Sequence, residues 1–170
     1  QVAHYFRLLR PQVVITFDPI GGYRHPDHIA IHQATLLAFQ NGAHFADPDN
    51  LPPFQPDKLY FQTISRTFLR VSVRLLRLFG KDPRKFGKNG DIDLVSIAEV
   101  SFPTHARINF RPVAHIRDQA TDCHASQGGR QMSSGIYAWV RRLFARYETY
   151  MRAYPPPTPD LQETDLFAGL

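Results

Sequence analysis

The chain has a single cysteine, Cys123, and a single tryptophan among its 170 residues. One cysteine excludes an internal disulfide and any multi-cysteine zinc finger. It suits a reducing compartment, and a cytoplasmic location is expected. No stretch reaches the roughly eighteen consecutive apolar residues of an ordinary membrane-spanning helix. Negative charge is also scarce, with 15 Asp and Glu against 20 Lys and Arg, a net charge of +5 and a pI near 9.6. Such an excess raises nucleic-acid binding as a class. The arginines are spread over several segments, however, with neither zinc-finger spacing nor an RNA-recognition aromatic box, so the excess reads as anion preference or solubility and no nucleic-acid partner is expected. With 43% hydrophobic and 21% charged residues, the composition is that of a globular chain forming a single domain over 1–170.

What the sequence does have is a concentrated cluster. The β-branched run Val13-Val14-Ile15-Thr16-Phe17 ends in Asp18-Pro19-Ile20-Gly21-Gly22-Tyr23-Arg24-His25-Pro26-Asp27-His28. A buried strand opening into such a loop is where α/β sheets place their chemistry. Imidazole is the commonest metal ligand and the usual acid or base near neutrality, and a neighbouring carboxylate fixes its tautomer. Ordinary turn chemistry and capping by Asp27 account for part of this segment. Two histidines, two carboxylates and a tyrosine together exceed that need, and the pattern points to a metal-assisted reaction.

The string YRHPDHIAIH after TFDPIGG resembles a conserved block of the LmbE-like (PIG-L) zinc-dependent de-N-acetylases. KLYF at Lys58 to Phe61, CHASQ at Cys123 to Gln127 and ETDLFAGL at Glu163 to Leu170 extend the resemblance over most of the chain. It implies a Rossmann-like three-layer α/β sandwich with a mostly parallel sheet, and a hydrolase that removes acetyl from N-acetylglucosamine conjugates or related small amides. By position, His28 resembles the zinc ligand. His25 resembles the histidine that, protonated, stabilises the oxyanion and helps the amine leave. Asp27 matches its orienting carboxylate, Tyr23 a donor to the carbonyl oxygen, and Asp18 a structural support of the loop. Arg24 stands where the family often has glycine, and it either favours an acidic or phosphorylated substrate or faces water. His124 is either a substrate-side group or a helix-end cap. The family's earlier HPDDE block, which brings a second histidine ligand, an aspartate ligand and the general base, does not occur here. The resemblance therefore implies the C-terminal part of a longer enzyme, inert by itself. A noncatalytic sugar- or nucleotide-binding module is the alternative.

His28 and His32 share a helical face, as in HxxxH zinc motifs, but Ile29, Ala30 and Ile31 leave no glutamate between them and the motif is set aside. The remaining sequence reads as α/β: helix Val2 to Arg10, strand Val13 to Phe17, helix Ile29 to Phe39, a Pro- and Asp-rich connector, and strand Leu59 to Ile64. Ser65 to Phe79 forms an amphipathic helix with Arg66, Arg70, Arg74 and Arg77 in one arc. Packing on the body or on a second copy of the chain is preferred over contact with a membrane surface. Gly80 to Gly90 reads as a mobile basic loop. Ser96 to Phe102 and Ala106 to Phe110 read as strands, Pro112 to Cys123 as a helix burying Cys123, and Gly135 to Ala153 as a last helix. The proline run follows, and the final LFAGL docks on the body.

Overall fold

A computed structural model describes residues 1–87, 90–124 and 146–170. Its elements run α1 (Val2–Leu9), β1 (Val13–Phe17), the four-residue turn α2 (Gly21–Arg24), α3 (Pro26–Asn41), β2 (Lys58–Thr63), α4 (Arg66–Leu78), α5 (Leu94–Glu99), β3 (Ala106–Asn109), α6 (Ala114–Asp122) and β4 (Tyr147–Tyr154). They fall into two compact units. One comprises Gln1–Ile64, Ser101–Arg107 and Thr149–Leu170; the other comprises Ser65–Val100 and Ile108–Glu148.

The first unit is built on a β1–α3–β2 crossover. Val13 to Phe17 pair in parallel with Lys58 to Gln62, so α3 must carry the chain back along the sheet. Pro26 at its first turn, with a fixed φ and no N–H to satisfy, starts that helix cleanly. His32, Thr35, Ala38 and Phe39 form its buried stripe. Ala3 and Phe6 of α1 and Ala38 and Phe39 of α3 pack with Leu59 and Phe61 of β2 into one core cluster. Arg7 is buried too, its guanidinium donating to the carbonyls of Gly42 at 2.6 Å and Phe45 at 2.8 Å and holding the loop after α3.

The opposite face of β2 is polar and closed by the C-terminal segment. Lys58 Nζ donates to Glu163 Oε1 at 3.1 Å and to the Ala168 carbonyl at 2.6 Å, while Tyr60 Oη donates to Glu163 Oε2 at 2.8 Å. Arg152 adds a third donor to the same carboxylate at 3.0 Å. Burial and the adjacent carboxylate both push the Tyr60 phenol upward, so it remains a neutral donor. The expected docking of the final segment is thus real, though it works through Glu163 and backbone carbonyls; Phe167 and Leu170 are exposed.

Several sequence expectations are corrected. The α/β class holds, but the sheet is mixed, not mostly parallel: its order is β1-β2-β4-β3, and β4 runs antiparallel to β2. Tyr147 to Ala153, read as the end of a helix, lies in β4. Its side chains alternate, with Tyr150 meeting Tyr60 while Met151 and Ala153 join the core cluster. The rest of the expected helix, 135–145, lies outside the described residues.

In the second unit, Ser96 to Glu99 is helical where a strand was expected. Asp93 caps the helix by accepting from Val95 and Ser96 N–H at 2.9 and 3.1 Å, and Leu94 and Ile97, one turn apart, are buried. The amphipathic helix α4 packs on α5 through a face that buries Leu69 and Val73, with Arg66, Arg70, Arg74 and Arg77 exposed. Phe86 and Ile92 form a bridge across the basic loop. No residue of α6 is buried, and Cys123 is exposed, because among the described residues no apolar surface covers the stripe of Val113, Ile116, Ala120 and Cys123. Among the described residues, no helix is long and apolar enough to cross a membrane.

Candidate active site

The site loop hangs on Asp18, the first residue beyond β1. Its carboxylate is 2% exposed, and Oδ1 accepts from Ile20 N–H at 3.1 Å and Gly22 N–H at 2.8 Å. Burial holds its pKa above the ordinary 3.8, offset in part by those N–H groups and by His32. The structural role expected of Asp18 is what this geometry provides. Asp18→Ala should cost about 1–3 kcal/mol by stranding buried N–H groups, whereas Asp18→Asn keeps an acceptor and has no charge to desolvate. Since the folded pKa is raised, Asp18 contributes most below pH 3.8 and that contribution fades as pH rises through the folded pKa. Urea denaturation across the acid range should show Asp18→Asn gaining on the natural protein with rising pH.

Backbone geometry then folds the loop back on α3. Gly21, at φ +66, has no room for a side chain, since a Cβ there meets Ile29 Cγ1 at 2.8 Å and Ile29 N at 2.9 Å. Gly22 and Arg24 also have positive φ, 68 and 67. For an L-residue with a side chain this conformation costs about 1–2 kcal/mol, which explains why glycine suits the position that Arg24 occupies.

Three rings are brought together. His25 and His28 have centroids 4.8 Å apart, and Tyr23 stands edge-on to both, at 5.6 and 5.1 Å. All three are half-buried. His28 stacks on Phe17 at 3.8 Å with the planes 5° apart, which sets its rotation. Phe17 and the Gly21 carbonyl are contributors that sequence reasoning missed. The available signal was an aromatic residue closing the strand directly before a histidine-bearing loop.

The hydrogen bonds assign the tautomers. His25 is the N-cap of α3, and its Nδ1 accepts from the Asp27 backbone N–H at 3.2 Å. A backbone N–H can only donate, so Nδ1 is bare and the His25 proton sits on Nε2. His28 Nδ1 faces the Gly21 carbonyl at 3.3 Å. A carbonyl can only accept, so His28 carries its proton on Nδ1 and has a free lone pair on Nε2. Adjacent rings thus present opposite faces: a donor from His25 and a ligand lone pair from His28. A carbonyl behind a ring N–H is the usual support of a metal-binding histidine.

The Asp27 carboxylate is exposed, 3.9 Å from His25 Nδ1, so in this arrangement the backbone of Asp27, not its carboxylate, holds the ring. Arg24 is exposed and, among the described residues, has no partner. Buried His32 faces the Phe17 carbonyl through Nδ1 at 2.7 Å and meets Phe61 edge-on, so it braces α3 against the end of β1. His124 follows α6 in the second unit, exposed, its backbone N–H bonded to the Thr121 carbonyl. The rest of the CHASQ string, Ala125 to Gln127, lies outside the described residues. As a zinc site, His28 fits as one ligand, but among the described residues no group of three His, Cys, Asp or Glu can hold a metal ion.

Residues 1–39 match the family model described as PIG-L, GlcNAc-PI de-N-acetylase. The chain is 33% identical to the 1D-myo-inositol 2-acetamido-2-deoxy-alpha-D-glucopyranoside deacetylase 2 of Catenulispora acidiphila, over 99% of this chain and 59% of that protein. It is 34% identical to the corresponding deacetylase of Thermobifida fusca, over 99% of this chain and 58% of the relative. A Rhodococcus erythropolis deacetylase of the same name is 30% identical, over 99% and 58%. The chain thus spans somewhat under three-fifths of the length of the curated relatives it matches. The site loop lies inside the residues that match the PIG-L (LmbE-like) family, and the similarity to its deacetylases runs along nearly the whole chain.

Proposed function

We propose that this chain forms part of a zinc-dependent amide hydrolase that removes acetyl from an N-acetylated amino sugar conjugate. The observation that carries the reading is the pair of contacts behind the two rings, the Asp27 N–H on His25 Nδ1 and the Gly21 carbonyl on His28 Nδ1, from which a donor on His25 Nε2 and a lone pair on His28 Nε2 follow. The relatives' names, all deacetylases of an acetamido sugar on inositol, support the same substrate class.

In this reading His28 Nε2 is one zinc ligand, and the others come from outside these 170 residues. Zinc in such a site polarises a carbonyl and lowers the pKa of water to about 7, given three protein ligands and an open position. His25 Nε2–H meets the oxygen on which negative charge develops, a donor aimed at the transition state rather than the substrate. The Tyr23 hydroxyl, on a ring that stands edge-on to both histidines, adds a second donor. The Asp27 carboxylate lies 3.9 Å from His25 Nδ1, while its backbone N–H holds the ring. The rival reading, a noncatalytic sugar- or nucleotide-binding module, draws on the incomplete ligand set among the described residues.

Metal content decides between them. The 170 residues alone should bind zinc weakly and show no deacetylase activity. A complete protein carrying the family's first block should bind one equivalent and release acetate from N-acetylglucosamine conjugates, with zinc lost in His28→Ala and retained in His32→Ala. Tight one-to-one zinc binding by the 170 residues, abolished by His28→Ala, would show that the ligand set lies within the chain. A complete protein that holds no zinc would leave the binding module as the function.

A further inference from the structure

Among the described residues, three side-chain-bearing positions have positive φ: Arg10, Arg24 and Asn50. Two have an explanation within the fold. Arg10 ends α1, its N–H bonded to the Phe6 carbonyl at 2.9 Å and its guanidinium lying 4.4 Å over the Phe54 ring. Asn50 is of a residue type that tolerates the left-handed region, and it closes a turn onto Asp47. Arg24 has neither. Its neighbours Gly21 and Gly22 show that this loop is built for glycine, yet here an arginine adopts the strained conformation and, among the described residues, makes no compensating contact. Backbone strain that the fold does not repay is a mark of functional positions, and Arg24 lies between two members of the site.

We propose that Arg24 selects acetamido sugars that bear an anionic group, through the forked donors of its guanidinium. Tyr23 and His25 flank it in sequence, and both belong to the ring cluster. Its charge is permanent and its planar fork matches a carboxylate or a phosphate two bonds at a time. Lysine, a point charge, would serve less well. The inference rests on the deacetylase reading, and it gives that reading a substrate class: acetamido sugars carrying a phosphate or carboxylate.

The test uses the complete zinc enzyme with three probes: N-acetylglucosamine, its 6-phosphate, and N-acetylmuramic acid for the carboxylate source. The natural protein should prefer one of the anionic compounds by about tenfold or more in kcat/KM, the difference residing mainly in KM. Whichever anion is preferred identifies the source. Arg24→Gly should reduce that ratio to within about threefold while raising Tm by about 2–4 °C, and Arg24→Lys should retain part of the preference. A preference unchanged in Arg24→Gly, or a natural preference for the neutral sugar, would overturn the assignment. If none of the three is deacetylated, the hydrolase reading is what suffers, and calorimetric titration with the same compounds judges Arg24 by itself. Tighter anion binding that Arg24→Gly abolishes upholds the assignment, and equal binding by both proteins rejects it.

Discussion

His25→Ala in the complete enzyme is expected to lower kcat about a hundredfold or more while zinc content stays near one equivalent, because the lost group acts on the transition state and not on the metal. The structure adds a complication and its remedy. His25 is also the N-cap of α3, so alanine removes both the Nε2–H donor and the acceptor for the Asp27 N–H. Loss of a cap costs about 1 kcal/mol. Asparagine separates the two roles, since its side-chain oxygen caps well while it places no imidazole N–H at the site. His25→Asn should therefore keep Tm close to that of the natural protein and still lose the hundredfold. If His25→Asn retains more than a tenth of the natural kcat, His25 is a cap and nothing more.

The largest effect on stability is expected at Glu163. Its carboxylate faces Lys58, Arg152 and Tyr60, with side chains 5%, 12% and 7% exposed for Lys58, Arg152 and Glu163. Breaking a buried pair by removing one partner leaves charge without compensation and costs about 3–5 kcal/mol. Among the described residues Arg152 Nε is already buried without a partner, so the cluster has no spare acceptor to offer. Glu163→Ala should lower Tm by on the order of 10 °C. Glu163→Gln, which keeps one acceptor without the charge, should fall between. Adding Lys58→Met to Glu163→Ala should recover part of the loss, as expected when the orphaned cation is removed as well. A fall of less than a few degrees in Glu163→Ala would mean that water enters this face freely and the cluster is not a dry staple.

The sequence was most legible where local chemistry and tertiary context agree. β1 follows from its β-branched run, and α3 from Pro26 at its first turn and the stripe His32, Thr35, Ala38 and Phe39. The loop residues Tyr23, His25 and His28 were visible as a concentration of chemistry, and the fold does bring their rings together. Their division of labour was not visible, because it depends on a carbonyl and an amide N–H whose positions are set by Gly21 and by the helix start. Misreadings arose where two periods overlap. Tyr147 continues the spacing of Trp139 and Leu143, yet Tyr150 and Met151 point to opposite faces and β2 supplies the ladder that decides for a strand. Around Ser96 the reverse occurred: a single aspartate cap and two leucine-type residues one turn apart outweighed a run of modest strand propensity.

The distance along the chain between Lys58 and its counter-ion has a consequence for biosynthesis. Glu163 lies 105 residues after Lys58, so β2 leaves the ribosome with a lysine and a tyrosine that its own neighbourhood cannot satisfy. At a synthesis rate of about 5–20 residues per second, that face waits on the order of ten seconds for the carboxylate that permits its burial. The β1–α3–β2 crossover can form early, with its helix-covered side closed and its polar side still wet. Sealing of the second face is then tied to arrival of the segment that carries Glu163, so the sheet cannot close on both sides until synthesis has passed that residue.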